Sequence, residues 1–151
     1  MADNWMIVDY EPEHAQEIIG TNMLMNENWL KDSDIERWSL AYKEGGPAYT
    51  LIVEDVPVAC AGIILQEWNK AEAWALLSFL FYRHKIKAYR AIKAGLEAFI
   101  AEKKLQRVQA VVVSEDQPGI DFIECLGFEC EGELKNFGPQ HESFYMYART
   151  R

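Results

Sequence analysis

"FIECLGFECEG", Phe122 to Gly132, changes character at its central glycine. Ile120 to Leu126 predicts a short helix. Gly127 ends it, because glycine enters the left-handed cap conformation at little cost. Phe128 to Leu134 then predicts a strand, and Phe144 to Ala148 a second one. Upstream, "SEDQPG" leads into the helix, and the valine-rich Val108 to Val113 predicts a strand before it.

Further toward the N-terminus the period lengthens. Ile92, Leu96, Phe99 and Ile100 mark the buried face of a helix over Ala88 to Lys103. The apolar run Ala73 to Tyr82 before it predicts a long central strand. Tyr49 to Val53 and Val58 to Leu65 form a hairpin around Glu54-Asp55, although that turn lacks the usual glycine. Trp68-Asn69-Lys70 is the next connection. Met6 to Asp9 predicts a first strand, and Pro12 opens a helix carrying Ala15, Ile18, Ile19 and Met23. "SDIE", Ser33 to Glu36, reads as a capping box, with Ile35, Trp38 and Tyr42 as the stripe behind it and "EGGP" as its stop.

The whole chain, residues 1–151, therefore predicts a single α/β domain. Its centre is a mixed, mostly antiparallel sheet of about six to seven strands with helices on both faces. The chain carries 24 acidic and 15 basic residues, a formal charge of -9. That balance argues against nucleic acid and against an anionic membrane surface as partners. An acidic N-terminus and the lack of a bilayer-length apolar run predict a cytoplasmic protein. Cys60, Cys125 and Cys130 show no CxxC pair, so neither a disulfide framework nor a zinc site is expected, and the thiols read as small buried side chains.

Against that acidity, "FYRHKIKAYRAIKAG" is anomalous. Arg83, Lys85, Lys87, Arg90 and Lys93 crowd together with His84 and no acid. Such a knot is either a solvated helix face or a site for an anion.

The element order, the Leu-Gly-Phe helix end followed by Glu-Gly, and the tail "NFGPQHESFYMYAR" resemble the GNAT family of N-acetyltransferases, from Met6 to Arg149. The Tyr-Met-Tyr-Ala-Arg ending is also similar to GNAT-like proteins of tailed phages. The resemblance implies acetyl-CoA as donor, a small amine or peptide as acceptor and a possible homodimer. It places the coenzyme's diphosphate at the start of the helix after the central strand, near Lys85, Lys87, Ala88 and Arg90. It places a backbone oxyanion donor near Leu80 or Phe81, and Tyr82 and Asp116 at further cofactor-side positions.

This sequence departs from the family pattern in two places. Where the family has Arg/Gln-x-x-Gly-x-Gly/Ala, this chain offers Lys87, Arg90 and Ile92, or Lys85, Ala88 and Arg90, with no glycine between Phe81 and Ala94. Where a general-acid Tyr is common, it has Ile123. Tyr82 is a candidate at the thioester, Tyr145 is a catalytic-side candidate that with Tyr147 could line the acceptor groove, and Glu67 is a candidate base. Each also has a plain structural reading, as a sheet-capping ring, a core ring and a solvated loop acid. His14 and His141 are expected at the surface. On the acceptor side, Met25 to Asp32 and Lys135 to Ser143 are the implied loops, with Glu27, Asp32, Glu142, Trp29 and Phe137 as their candidates. Three readings stand: an acyltransferase, a GNAT fold that has lost catalysis, and a coenzyme-binding sensor.

Overall fold

A computed structural model describes residues 4–21 and 34–151. Met23, Ser33 and the loop Met25 to Asp32, with Glu27, Trp29 and Asp32, lie outside the described residues. The elements are β1 (Trp5–Asp9), α1 (Pro12–Thr21), α2 (Ile35–Gly45), β2 (Ala48–Val53), β3 (Val56–Gln66), β4 (Lys70–Leu77), a 3-10 helix (Phe79–His84), α3 (Lys85–Glu102), β5 (Arg107–Val113), α4 (Gln117–Cys125), β6 (Glu129–Leu134) and β7 (Phe144–Thr150). The strands are ordered β1-β2-β3-β4-β5-β7-β6. β4 and β5 are paired in parallel; β1–β2, β2–β3, β5–β7 and β6–β7 are antiparallel. The expected mixed, mostly antiparallel α/β sheet is therefore present. The chain groups into two compact units, one of residues 1–64 and 74–92, the other of 65–73 and 93–151.

In the first unit, Tyr10, Ala15, Ile18, Ile19, Cys60 and Leu76 form the core, with Ile35, Trp38, Tyr42, Ala48 and Trp74 packed against it. Burying a side chain such as Ile18 is worth about 1.5–3 kcal/mol. Register separates the two faces of this part of the sheet. Thr50 and Cys60 are cross-strand partners, and Thr50 Oγ1 lies 2.8 Å from His14 Nδ1, so α1 covers their face. Leu51 alternates to the other face and pairs with Ile7, whose same-face neighbour two residues back, Trp5, meets Lys87 of α3. Helices thus lie on both faces, as expected.

Two polar groups complete the core. Tyr10 is fully buried and its hydroxyl donates to Ser39 O at 2.8 Å, while Lys43 Nζ donates to Tyr10 O at 2.9 Å. Burial pushes the Tyr10 hydroxyl well above the usual tyrosine range. His14 is half-buried and bonded rather than a surface residue.

The cap of α2 differs from the expected box: Asp34 is the N-cap and accepts Arg37 N at 3.1 Å. The β2–β3 turn shows why no glycine was needed. Glu54 and Asp55 themselves adopt left-handed φ of 50° and 64°. Such a conformation costs roughly 1–2 kcal/mol per residue. It is offset by ties to the chain start: Glu54 N donates to Asn4 O at 2.8 Å, and Asn4 N donates to Glu54 Oε1 at 2.9 Å.

In the second unit, Asp116 caps α4, and Gly127, at φ 91°, ends it as expected. Arg149 Nη1 joins Glu97 Oε1 at 2.7 Å and Leu126 O at 3.2 Å, tying α3 and the end of α4 to β7. The thiols do not share one environment: Cys60 is buried, whereas Cys125 and Cys130 are exposed. The latter two lie near the end of α4 and in the terminal strand β6, which presents most of its side chains to solvent.

Candidate functional site

The decisive local event is the end of β4. The apolar run Ala73 to Tyr82 was expected to be one strand, but the strand is Lys70–Leu77 and Phe79–His84 is a 3-10 helix. Ser78 makes the break. Its N–H still donates to Val58 O at 3.0 Å, as a strand residue would. Its hydroxyl accepts Leu80 N at 3.2 Å and its carbonyl accepts Phe81 N at 2.9 Å, which turns the chain into a helix. An apolar run does not distinguish a strand from buried helix, so the only signal in the sequence was a serine inside it.

This geometry corrects one expectation. The backbone N–H groups of Leu80 and Phe81 are already bonded inside the turn. Neither offers an unpaired donor to an oxyanion. Phe81 is buried and serves the core, with the Tyr82 ring 6.2 Å away. Tyr82 itself is 52% exposed.

The 3-10 helix runs directly into α3, whose first turn contains no acid. From Ser78 to Glu102 no residue adopts a positive φ. A segment wound this way has no position that demands glycine, which accounts for the missing glycines in physical terms. It also lacks the alternating backbone that forms a tight cradle of N–H groups. What it presents instead is side-chain charge at the positive end of a helix dipole. Lys85 and Arg90 are exposed, Ala88 is 1% exposed and faces the core, and Lys87 lies between. The Lys87 ammonium sits over the Trp5 ring, 5.4 Å from its centroid. Sequence reasoning placed Lys87 in the knot without its aromatic partner, because Trp5 is far away along the chain.

The remaining candidates separate. Glu67 is an exposed turn residue before the first residue of β4, and Tyr82 follows its last. Glu67 belongs to the second unit and Tyr82 to the first. Asp116 is 8% exposed and its carboxylate accepts Gly119 N at 2.8 Å as the cap of α4. Burial raises its pKa above the usual carboxylate range, with the Gly119 bond opposing. Gly119 has to be small, since a Cβ there would come within 2.1 Å of Asp116 Oδ2.

Ile123, at the place of the common general acid, is buried. Tyr147 is buried and donates to Glu124 Oε1 at 3.3 Å, while Tyr145 is half-buried. Glu142, expected to face an amine, holds its own loop instead. Its carboxylate accepts Gln140 N at 3.1 Å and its carbonyl accepts Phe137 N and Gly138 N. Phe137 packs on Phe144 with ring centroids 5.0 Å apart. His141 is exposed as expected. No helix among the described residues is long and apolar enough to cross a membrane.

No family sequence profile and no curated protein sequence matches the chain. Solved structures do. The chain is similar to the GNAT-family acetyltransferase of Bacillus anthracis, at 19% identity over 99% of this chain and 96% of that one, with a TM-score of 0.69. It is similar to Ard1 from Thermoplasma volcanium, at 15% identity over 97% of each chain and a TM-score of 0.76. It is also similar to the ribosomal-protein-S18-alanine N-acetyltransferase of Escherichia coli, at 16% identity over 97% of this chain and 94% of that one, with a TM-score of 0.70. The likeness establishes the fold, which is that of the GNAT acetyltransferases. The phage resemblance of the tail gains no support from these structures.

Proposed function

We propose that this chain is an acyl-CoA-dependent N-acyltransferase that uses acetyl-CoA as donor and a small amine or peptide as acceptor. One observation carries the reading. In this chain, whose fold is that of the GNAT acetyltransferases, the helix that follows β4 and the 3-10 turn begins with an acid-free, cationic turn. No carboxylate occurs from Phe79 to Leu96 in a chain of net charge -9. A coenzyme diphosphate is complementary to that charge, so the residues present fit the group.

Lys85 and Arg90 hold the phosphates by charge-assisted bonds, with Lys87 beside them and Ala88 anchoring the turn to the core. Bound acetyl-CoA supplies the acyl group as a thioester. Tyr82, half exposed within the 3-10 helix, holds the proton that the departing sulfur requires. Tyr145 lines the acceptor side. Glu67 is left out of the base role, and water deprotonates the incoming ammonium. Asp116 acts as a cap that positions α4.

Two findings favour a second reading, a GNAT fold used for binding without turnover: the backbone shows no amide cradle, and Ile123 stands where an acid is common. A thiol-release assay with acetyl-CoA and a panel of amines and peptides separates the readings. Release that depends on one amine supports the acyltransferase. Tight coenzyme binding with no release for any acceptor supports the binding protein.

A further inference from the structure

A cleft of about 400 Å³ in the first unit belongs to neither the acyl-CoA reading nor the core. The β2–β3 turn supplies Val53, Glu54 and Val56, and the 3-10 helix supplies Leu80, Arg83 and His84. Three of these are aliphatic, and Val53 is nearly buried, so the cleft has an apolar floor.

Its charges are of both signs and do not cancel each other. Among the described residues no ion pair joins Glu54 to Arg83, and the Arg83 side chain has no hydrogen-bond partner. Glu54 uses one carboxylate oxygen for Asn4 N, at 2.9 Å, and the other remains available. That contact, with Glu54 N on Asn4 O, fixes where the carboxylate stands. The turn carrying it is held in a left-handed conformation that neither Glu54 nor Asp55 favours. A rigid carboxylate, a separate guanidinium and an imidazole around an apolar floor complement a ligand with an ammonium, a carboxylate and a short hydrocarbon body.

We infer that this cleft binds a small zwitterion, a free α-amino acid with an aliphatic side chain. The ammonium meets Glu54, the carboxylate meets Arg83 with His84 beside it, and the hydrocarbon lies on Val53, Val56 and Leu80. A simple anion leaves Glu54 facing it with like charge, and a simple amine leaves Arg83 opposed in the same way. A peptide separates its two charged ends too widely to satisfy both walls. The inference is independent of the acyl-CoA reading, since Arg83 and Glu54 have no part in that one.

The test is calorimetric titration of the full chain with millimolar L-leucine, isovalerate, which lacks the ammonium, and leucinamide, which lacks the carboxylate. Leucine is expected to bind at least about tenfold tighter than either analogue, the loss expected when one charged hydrogen-bond partner is removed. Arg83→Gln and Glu54→Gln are each expected to weaken leucine by about tenfold or more while the circular dichroism spectrum and melting temperature are retained. The glutamine at 54 keeps an oxygen for Asn4 N. Equal affinity for isovalerate and leucine would reduce the cleft to an anion site and overturn the inference. So would undetectable leucine binding, or unchanged affinity in either variant.

Discussion

The Lys87 ammonium lies over the indole of Trp5, 5.4 Å from the ring centroid, and so joins the first turn of α3 to the edge strand β1. At an exposed aromatic such a contact is worth about 0.5–1 kcal/mol. It draws Lys87 away from any phosphate. Among the knot's cations, Lys85 and Arg90 therefore carry most of the proposed coenzyme contact. Lys85→Glu combined with Arg90→Glu is expected to weaken acetyl-CoA at least about hundredfold, at about 1.5–3 kcal/mol for each charged bond. Lys87→Glu alone is expected to cost less than either single change. Titration calorimetry at two salt concentrations checks both, and the wild-type affinity is expected to fall as salt rises.

Tyr82 is the proposed proton donor to the leaving sulfur. Tyr82→Phe keeps the ring against Phe81 and removes only the hydroxyl. It is expected to lower kcat by about 10²–10⁴ while leaving acetyl-CoA affinity within about twofold. Steady-state kinetics beside a binding measurement checks this. An unchanged kcat removes Tyr82 from the chemistry.

The fold was largely legible. Pro12, the Ile18 and Ile19 spacing, "EGGP" and Gly127 each mark a boundary through local backbone chemistry, and local chemistry is what a sequence displays. What stayed hidden depends on partners distant in the chain. Ser78 ends β4 because its hydroxyl and carbonyl capture the next N–H groups, a role that an apolar neighbourhood disguises. Glu54 and Asp55 make a tight turn without glycine because Asn4 ties them down. Tyr10 is a buried polar residue because its hydroxyl donates to the Ser39 carbonyl across 29 positions, while the Ser39 hydroxyl donates to Glu36 O and accepts from Gln16 Nε2. The candidate site was legible in its charge but not in its donors, since Leu80 N and Phe81 N are consumed within the turn.

Asp116 gives a prediction in pH. Burial raises its folded-state value above the unfolded one, near 4. Its contribution to stability is therefore fully present below about pH 4 and is lost as pH rises through the raised value. Asp116→Asn keeps an N-cap of equal quality and removes the titration. The stability of the variant relative to wild type is expected to rise as pH is taken from 4 to neutrality. Asp116→Ala is expected to cost about 1 kcal/mol through the lost cap. Urea unfolding across this pH range checks both.

The thiols should react in two classes. Burial raises the Cys60 thiol to about 12, and Thr50 Oγ1 lies 3.4 Å from its sulfur. Cys125 and Cys130 are exposed. A disulfide exchange reagent is expected to modify Cys125 and Cys130 rapidly in the native protein, and Cys60 only after denaturation. Peptide mapping by mass spectrometry identifies which thiols were labelled.

The central claim is that the cationic start of α3 holds an acyl-CoA. A thermal-unfolding scan with acetyl-CoA, with ATP as a polyanion control, tests it most directly. Ligand at about 100 times its dissociation constant stabilises by roughly 2.7 kcal/mol. In a chain of 151 residues that raises the melting temperature by about 5–10 °C. A rise of that size with acetyl-CoA, absent with ATP, is the predicted result. An equal rise with ATP, or no rise at millimolar acetyl-CoA, would contradict it.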